Sequence, residues 1–275
     1  RGDNGDCELE REGCPCSDSP FSPRPRRRQQ SPATMQRLVL AACTFLGVAP
    51  ATMGLSASRD VPAGRTFNAA EAKGGVEVDP SKTALVLIEY QNEFATEGGK
   101  MYEAVAPNME STGMLAKSAA LVAAARAKGM KILHCPISFA ADGHDNPNPK
   151  LGILKGCADG ALFVEGTWNA AICDAMKPVA GDLFVTNKKG LDAFPGTNLE
   201  QLLVDNGIET VVISGFLTNC CVESTMRTAY EKGFNTITLT DCCATTSIDG
   251  HSAATGGTFG LFSTPMTAAE FQAQL

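Results

Sequence analysis

Three times in this sequence, a helical pattern ends at a glycine and a short apolar run begins almost at once. The glycines are Gly129, Gly207 and Gly233. Glycine is favoured at such junctions because the residue that ends a helix often adopts a left-handed backbone, which glycine reaches without a steric cost. Helices and strands that alternate through such short loops form a parallel sheet with helices packed on its faces.

The apolar runs have the character of strands that are buried on both faces, since they are short, nearly continuous and rich in β-branched residues. They occupy residues 84–88, 130–136, 183–186, 210–214 and 235–239. Helical patterns lie between them, most clearly over residues 110–128 and 221–232, and Glu223 and Arg227 have the spacing of a helical ion pair. The predicted fold class is α/β, with three α/β/α layers around a mostly parallel, Rossmann-like sheet.

The first 81 residues differ in composition from the rest. Residues 1–34 are rich in Arg, Pro, Ser and charge, and we expect them to be disordered or, if Met35 is the biological start, to be no part of the native protein. Residues 35–57 have the layout of a secretory signal peptide and are too short to span a membrane. They predict that the protein is directed to the secretory pathway or to an organelle. The alternative is that they form an apolar helix of a cytoplasmic protein. Residues 58–81 form a predicted linker to one domain at 82–275.

Charge and cysteine content argue against nucleic-acid binding and against a disulfide-rich fold. The formal charge of −7 and the isoelectric point near 5.1 leave no basic face for nucleic acid, so we expect a small-molecule substrate. Eleven cysteines are an odd number, and two adjacent pairs, Cys220-Cys221 and Cys242-Cys243, do not suit a disulfide framework. We therefore expect mostly reduced thiols, at least one of them reactive.

Chemically active side chains follow several of the predicted strands. Glu89 ends the first strand, Lys188 follows the third, and Cys220 and Cys221 follow the fourth. The carboxyl ends of parallel strands share one edge of the sheet, which is where ligands bind in such folds. A thiol ionises more easily at a helix N-terminus or beside a cation, and such a turn also offers amides for an oxyanion. This edge therefore holds the groups needed for amide hydrolysis.

Three segments resemble motifs of the isochorismatase-like cysteine hydrolase family. Residues 85–94 (LVLIEYQNEF) are similar to its hydrophobic run followed by Asp-x-Gln-Asn-Asp-Phe, and residues 188–197 (KKGLDAFPGT) to Lys-x-x-x-Ser-Ala-Phe-x-x-Thr. Residues 214–225 (SGFLTNCCVEST) are similar to Gly-x-x-Thr-Asn-x-Cys-Val-x-x-Thr, the most specific of the three. The segments occur in the family's order and spacing, so the resemblance covers about residues 82–271.

The resemblance implies a role for each matching residue. Cys221 takes the position of the nucleophile, Lys188 that of the family's lysine, and Glu89 that of its acid. The implied oxyanion hole uses the backbone amides of Cys221 and Leu217, and a non-proline cis peptide bond joins Phe216 to Leu217.

Two residues depart from the family pattern. Glu89 replaces the usual Asp and is longer by one methylene, about 1.5 Å, so it either changes the geometry of proton transfer or marks a lost activity. We expect activity to be retained because Glu keeps the acid chemistry. Asp192 replaces the Ser of the second motif and adds a charge near the site. Phe94 and Trp168 are candidate walls of a substrate pocket, with core packing as the alternative.

We expect no metal and no other cofactor. Asp142 and His144 have the Asp-x-His spacing of the metal-binding nicotinamidase branch, but they lie in a loop rich in Gly, Asn and Pro, without a second suitable histidine nearby. His134 is better explained as a hydrogen-bonding residue at a strand end. No Gly-x-Gly-x-x-Gly follows the first strand, which argues against a dinucleotide.

The expected function is that of a cysteine-dependent amidohydrolase, which cleaves a C–N bond in a small molecule through a thioester. One alternative is hydrolysis of the isochorismate vinyl ether, although Cys221 counts against it because family members with that chemistry typically lack the cysteine. Another is a non-catalytic binding protein with the same fold. The resemblance also implies a homo-oligomer.

Overall fold

The computed structural model describes residue 76 and residues 78–275. The predicted disordered segment 1–34, the signal-like segment 35–57 and most of the predicted linker 58–81 lie outside the described residues. At the start of the described part, Val78 packs in the core, and the Asp79 side chain accepts a hydrogen bond from the Ser81 amide at the 3₁₀ turn Pro80–Lys82. That turn leads directly into the first strand.

Six parallel strands form one sheet. They are β1 (Thr83–Ile88), β2 (Lys131–Cys135), β3 (Leu183–Phe184), β4 (Thr210–Phe216), β5 (Asn235–Ala244) and β6 (Thr264–Met266). Their order across the sheet is β3-β2-β1-β4-β5-β6. The predicted fold class is confirmed.

Helices cover both faces of the sheet. They are α1 (Asn92–Ala95), α2 (Tyr102–Thr112), α3 (Met114–Ala127), α4 (Gly152–Asp159), α5 (Leu199–Asp205), α6 (Glu223–Glu231), α7 (Ile248–Ala253), α8 (Phe259–Phe262) and α9 (Ala268–Gln272). Two π-helical turns, Thr218–Val222 and Ala254–Thr258, precede α6 and α8. No helix in the described part of the chain is both long and apolar enough to cross a membrane.

The strand order determines where a ligand can bind. The chain winds from β1 to β3 in one direction, then crosses to the other side of β1 and continues from β4 to β6. β1 and β4 are therefore neighbours whose following loops lead to opposite halves of the sheet. In open parallel sheets, the crevice beyond the carboxyl ends of such a strand pair is the usual ligand site.

Alternation of side chains along β1 builds two cores. Leu85 and Leu87 point to one face, where they join a cluster with residues of α2, α3 and α9. Ala84, Val86 and Ile88 point to the other face, where they join residues of α5, α6 and α8. All six residues of β1 are buried, as expected for a strand with a helical layer on each side.

The sequence predicts the strands better than the helices. Gly129, Gly207 and Gly233 have positive φ of 75°, 66° and 82°, so the predicted left-handed helix ends are confirmed. The single helix predicted over residues 110–128 is wrong, because Gly113 has a φ of 66° and separates α2 from α3. The short strand β6, which contains Pro265, was not predicted.

Because several thiols are buried, the stability of the fold should depend strongly on pH in the alkaline range. Burial raises the pKa of Cys242 to about 12, and burial also raises the pKa of Cys135 and Cys243. An unfolded cysteine ionises near pH 8.5, so above that pH the unfolded chain releases protons that the folded chain keeps. Stability should therefore fall as pH rises from about 8.5 to 11, by up to about 1.4 kcal/mol per pH unit for each thiol.

Urea unfolding at pH 7.5, 9, 10 and 11 measures this slope. Cys243→Ala should make the alkaline decline shallower, because one of the titrating thiols is gone. A free energy of unfolding that stays constant up to pH 11 would contradict the prediction.

Candidate active site

Loops that follow three strands bring three predicted catalytic side chains to the crevice between β1 and β4. Glu89 directly follows β1, Lys188 lies between β3 and α5, and Cys221 lies in the π-helical turn after β4. Glu89 and Lys188 are each 2% exposed and Cys221 is 3% exposed. The charges of Glu89 and Lys188 both act on the pKa of the Cys221 thiol, in opposite directions.

Glu89 and Lys188 form a buried ion pair. The Lys188 Nζ donates a hydrogen bond to the Glu89 Oε1 and another, 2.8 Å long, to the Gly190 carbonyl. Burial by itself lowers the pKa of Lys188, but the negative charge of Glu89 and its hydrogen bond act in the opposite direction, and that pKa lies above its ordinary value. Lys188 is therefore a cation at neutral pH, and it compensates the burial of the carboxylate.

The backbone has an unusual conformation at Glu89 and at the residue that precedes Lys188. Glu89 has a φ of 54°, and Asn187, the residue before Lys188, has a φ of 62°. Residues other than glycine rarely adopt this left-handed region, and each such position costs about 1 kcal/mol or more. Hydrogen bonds hold both residues in place, from the Glu89 amide to the Cys135 carbonyl (3.2 Å) and from the Asn187 side chain to the Gly196 carbonyl (2.8 Å). Strain of this kind is concentrated at functional sites.

The turn that carries Cys221 starts at a cis peptide bond between Phe216 and Leu217. The Leu217 carbonyl then accepts hydrogen bonds from the amides of Cys220 (3.1 Å) and Val222 (3.2 Å), which close the turn on itself. The backbone amides proposed for the oxyanion hole, those of Leu217 and Cys221, therefore belong to one compact turn.

Cys221 rests as a thiol. Its pKa is raised well above the ordinary value, first by a hydrogen bond with the Cys220 thiol, then by burial and by the Glu89 carboxylate, whereas Lys188 acts in the opposite direction. The sequence predicts that a helix N-terminus and a cation favour the thiolate. Here the helix begins with a π-helical turn, and the charge of Lys188 is already neutralised by Glu89. A catalytic cycle must therefore include a step that removes the Cys221 proton.

The two predicted pocket walls lie in different surroundings. Phe94 is buried in the core, where its ring stacks on Phe216 at 5.2 Å and contacts Phe163 at 5.1 Å. Trp168 is 51% exposed and borders a separate cavity of about 310 Å³. The other residues around this cavity are Asn92, Ala95, Thr96, Leu115, Cys173, Asp174 and Ala175. None of the three predicted catalytic residues lines it.

Asp192 and His134 have structural partners. The Asp192 carboxylate accepts hydrogen bonds from the Phe194 amide (2.9 Å) and the Thr228 hydroxyl (2.6 Å), so it ties its loop to α6. The Nε2 of His134 lies 2.9 Å from the Asp182 carboxylate. These contacts account for both side chains without a catalytic role.

Asp142 and His144 are exposed and pair with each other, with the His144 Nδ1 2.6 Å from the Asp142 carboxylate. Within residues 78–275, no group of three or more His, Cys, Asp or Glu side chains is arranged to hold a metal ion.

Comparison with known proteins identifies the family. The family model described as the isochorismatase domain matches residues 83–270, most of the chain. The chain belongs to the isochorismatase family. This confirms the family that was predicted from the three sequence motifs.

Relatives of this isochorismatase-family protein include named enzymes. The ureidoacrylate amidohydrolase of Methylobacterium radiotolerans is 34% identical over 178 residues, which cover 60% of this chain and 68% of that protein. The N-carbamoylsarcosine amidase from Thermoplasma acidophilum has a TM-score of 0.54 and 25% identity, covering 68% of this chain and 96% of that one. A cysteine hydrolase from Pseudomonas syringae shares the fold, with a TM-score of 0.65 at 21% identity over 73% and 95% of the two chains.

The ion pair of this isochorismatase-family protein should be essential for stability. Lys188→Met leaves the Glu89 carboxylate buried without a cation, and we expect a loss of about 3–5 kcal/mol in the free energy of unfolding. The double variant Lys188→Met/Glu89→Gln should recover part of that loss because glutamine carries no charge. Urea unfolding measures both, and a loss below about 1 kcal/mol for the single variant would contradict a buried, charged pair.

Proposed function

We propose that this protein is a cysteine amidohydrolase that cleaves a C–N bond of a small amide or ureide through a thioester on Cys221. The observation that carries the proposal is the buried Glu89–Lys188 pair, which acts electrostatically on the Cys221 thiol at the crevice between β1 and β4. The names of two relatives support it, since a ureidoacrylate amidohydrolase and an N-carbamoylsarcosine amidase both act on a C–N bond next to a carbonyl.

In the first half of the reaction, Cys221 attacks the substrate carbonyl carbon. The Glu89 carboxylate takes the thiol proton as the C–S bond forms, so the nucleophile is generated only when substrate is present. The carbonyl oxygen becomes an oxyanion, and the backbone amides of Leu217 and Cys221 stabilise it. Glu89 then gives its proton to the departing nitrogen, the C–N bond breaks, and an amine or ammonia leaves the thioester.

In the second half, water replaces the amine. Glu89 accepts a proton from this water as its oxygen attacks the thioester carbon, and the same oxyanion hole holds the new tetrahedral intermediate. The C–S bond breaks, and the sulfur recovers its proton from Glu89. Lys188 takes no proton in this cycle because it is already protonated: burial lowers its pKa, but the Glu89 carboxylate acts in the opposite direction and that pKa lies above its ordinary value. Lys188 orients the Glu89 carboxylate and balances its charge.

The test is release of ammonia from a panel of small amides and ureides that includes ureidoacrylate and N-carbamoylsarcosine. The wild-type chain should release ammonia, Glu89→Gln should not because an amide cannot accept the thiol proton, and Glu89→Asp should retain part of the activity. No release from any substrate of the panel would favour a non-catalytic binding protein with the same fold.

We also propose that residues 35–57 direct the protein to the secretory pathway or an organelle, and that it forms a homo-oligomer. The signal-like layout of residues 35–57 supports the first point, and the family resemblance supports the second. Sequencing of the mature N-terminus from cells and light scattering of the purified protein test them separately.

A further inference from the structure

Residues 152–169, which we call the covering segment, lie at the edge of the sheet that carries the predicted catalytic residues, where Val164 bridges to Phe139 in the loop after β2. Cys157 in α4 is buried in the core cluster against which Cys220, the neighbour of Cys221, also packs, and the charges of Glu89 and Lys188 act on its thiol. Farther along, Phe163 contacts Phe94, whose ring in turn stacks on that of Phe216. The catalytic side chains are only 2–3% exposed, so some of the atoms that surround them must move to admit a substrate.

Glu93 joins the covering segment to the body of the domain. This residue of α1 is 0% exposed and takes no part in the proposed reaction. Its Oε1 accepts hydrogen bonds from the Lys100 amide (2.8 Å) and the Asn169 side chain (3.0 Å), and its Oε2 accepts one from the Phe163 amide (3.0 Å). The structure shows no ion pair for Glu93 among the described residues, so these donors must offset the cost of burying its charge.

Lys100 makes a second connection to the same segment. Its amide binds Glu93, while its ammonium group donates to the carbonyls of Gly160 (2.9 Å) and Ala161 (2.7 Å). Ala161 has a φ of 44° and Phe163 a φ of 54°, both in the left-handed region that residues other than glycine avoid. Side-chain and backbone bonds at Glu93 and Lys100 therefore help to hold this costly conformation, together with the main-chain bonds that join Phe139 to residues 163 and 165.

Two glycines give the covering segment places to bend. Gly152 and Gly166 lie at its start and near its end, with φ of 61° and 79°. No atom lies within 4 Å of a Cβ built at either position, so both glycines face open space. Hinges of closing segments are short stretches that absorb such backbone rotations.

We propose that Glu93 and Lys100 form a latch that holds the covering segment closed over Cys221, and that substrate enters when this latch opens. Glu93 and Lys100 are positioning residues in this scheme, since neither reaches the reacting atoms. The inference rests on the proposed function only for its kinetic readout. Access to Cys221 is measurable without any substrate.

The test compares alkylation of Cys221 by iodoacetamide in the full chain with that in two variants. Lys100→Met removes the ammonium but keeps the backbone amide, and Glu93→Gln keeps the side-chain volume. Peptide mass spectrometry at one pH follows Cys221 and also Cys243, a fully buried thiol in β5 that reports global unfolding. Lys82→Met is the matched control, because it removes an exposed lysine whose ion pair with Glu209 lies outside the latch.

We expect both latch variants to increase the alkylation rate of Cys221 at least tenfold while the rate of Cys243 stays constant, and Lys82→Met to change neither. With a substrate from the ammonia assay, KM should shift more than kcat. An unchanged Cys221 rate in Lys100→Met, or a parallel rise at Cys221 and Cys243, would overturn the latch. If alkylation follows the latch prediction but no substrate is turned over, the latch stands and the proposed function fails.

Discussion

Cys221→Ala should lower kcat/KM for amide hydrolysis by at least about 10³-fold, whereas Cys220→Ala should lower it by less than about tenfold. The two thiols are adjacent, but only Cys221 is buried. Alanine at position 221 leaves no atom that can form the thioester, while the Glu89–Lys188 pair remains intact. Alanine at position 220 removes only the hydrogen bond that raises the pKa of Cys221.

Ammonia release at saturating and limiting substrate gives both kinetic constants, and urea unfolding confirms that the variants fold. Mass spectrometry of the wild-type enzyme, quenched during turnover, should show the acyl group on the peptide that contains Cys221. Equal loss of activity in the two alanine variants would contradict the assignment of a single nucleophile.

Gly215→Ala should cost more than about 4 kcal/mol of stability or prevent folding, because the backbone of β4 approaches β1 too closely for any side chain. A Cβ at Gly215 would lie 2.0 Å from the Ile88 carbonyl oxygen and 2.8 Å from its carbonyl carbon. These are main-chain atoms of the central strand and cannot move aside as a flexible side chain can. The φ of 129° at Gly215 adds a second cost for alanine.

Gly260→Ala is the control for this substitution. Gly260 lies in α8, where an added Cβ meets no atom within 4 Å, and alanine is favoured over glycine in a helix by up to about 1 kcal/mol. Thermal and urea unfolding should therefore show opposite signs for the two variants. A Gly215→Ala protein with nearly wild-type stability would show that β1 and β4 are not packed as closely as described.

The sequence predicts the sheet because buried parallel strands leave a local signal. β1 and β4 contain continuous apolar runs, β2 and β5 are rich in apolar and β-branched residues, and glycine marks the helix end that precedes three strands. Helices α2 and α4 leave a misleading signal. Pro107 lies inside α2, and α4 contains Gly152 and Gly156, so both segments have the composition of loops. Tertiary packing stabilises these helices, and local propensity does not reveal it.

The site is predictable only in outline. Parallel-strand geometry places Glu89, Lys188 and Cys221 at one edge, because that geometry follows from the strand order alone. The contacts that join Glu93 to Phe163 and Asn169 connect residues far apart in sequence, so no local pattern predicts them. Glu93 itself gives a signal that could have been used, since it is an acidic residue within the apolar first motif.

The position of β1 at the centre of the sheet has a consequence for synthesis of the chain. Ile88 pairs with Gly215 in the finished sheet, yet most of the domain must leave the ribosome between the two. Until then, β1 can bind only β2, and its other edge displays unpaired backbone groups beside apolar side chains. Such an open edge invites aggregation. Newly made chains should therefore depend on chaperones until β4 emerges, and no truncated product that ends before it can be active.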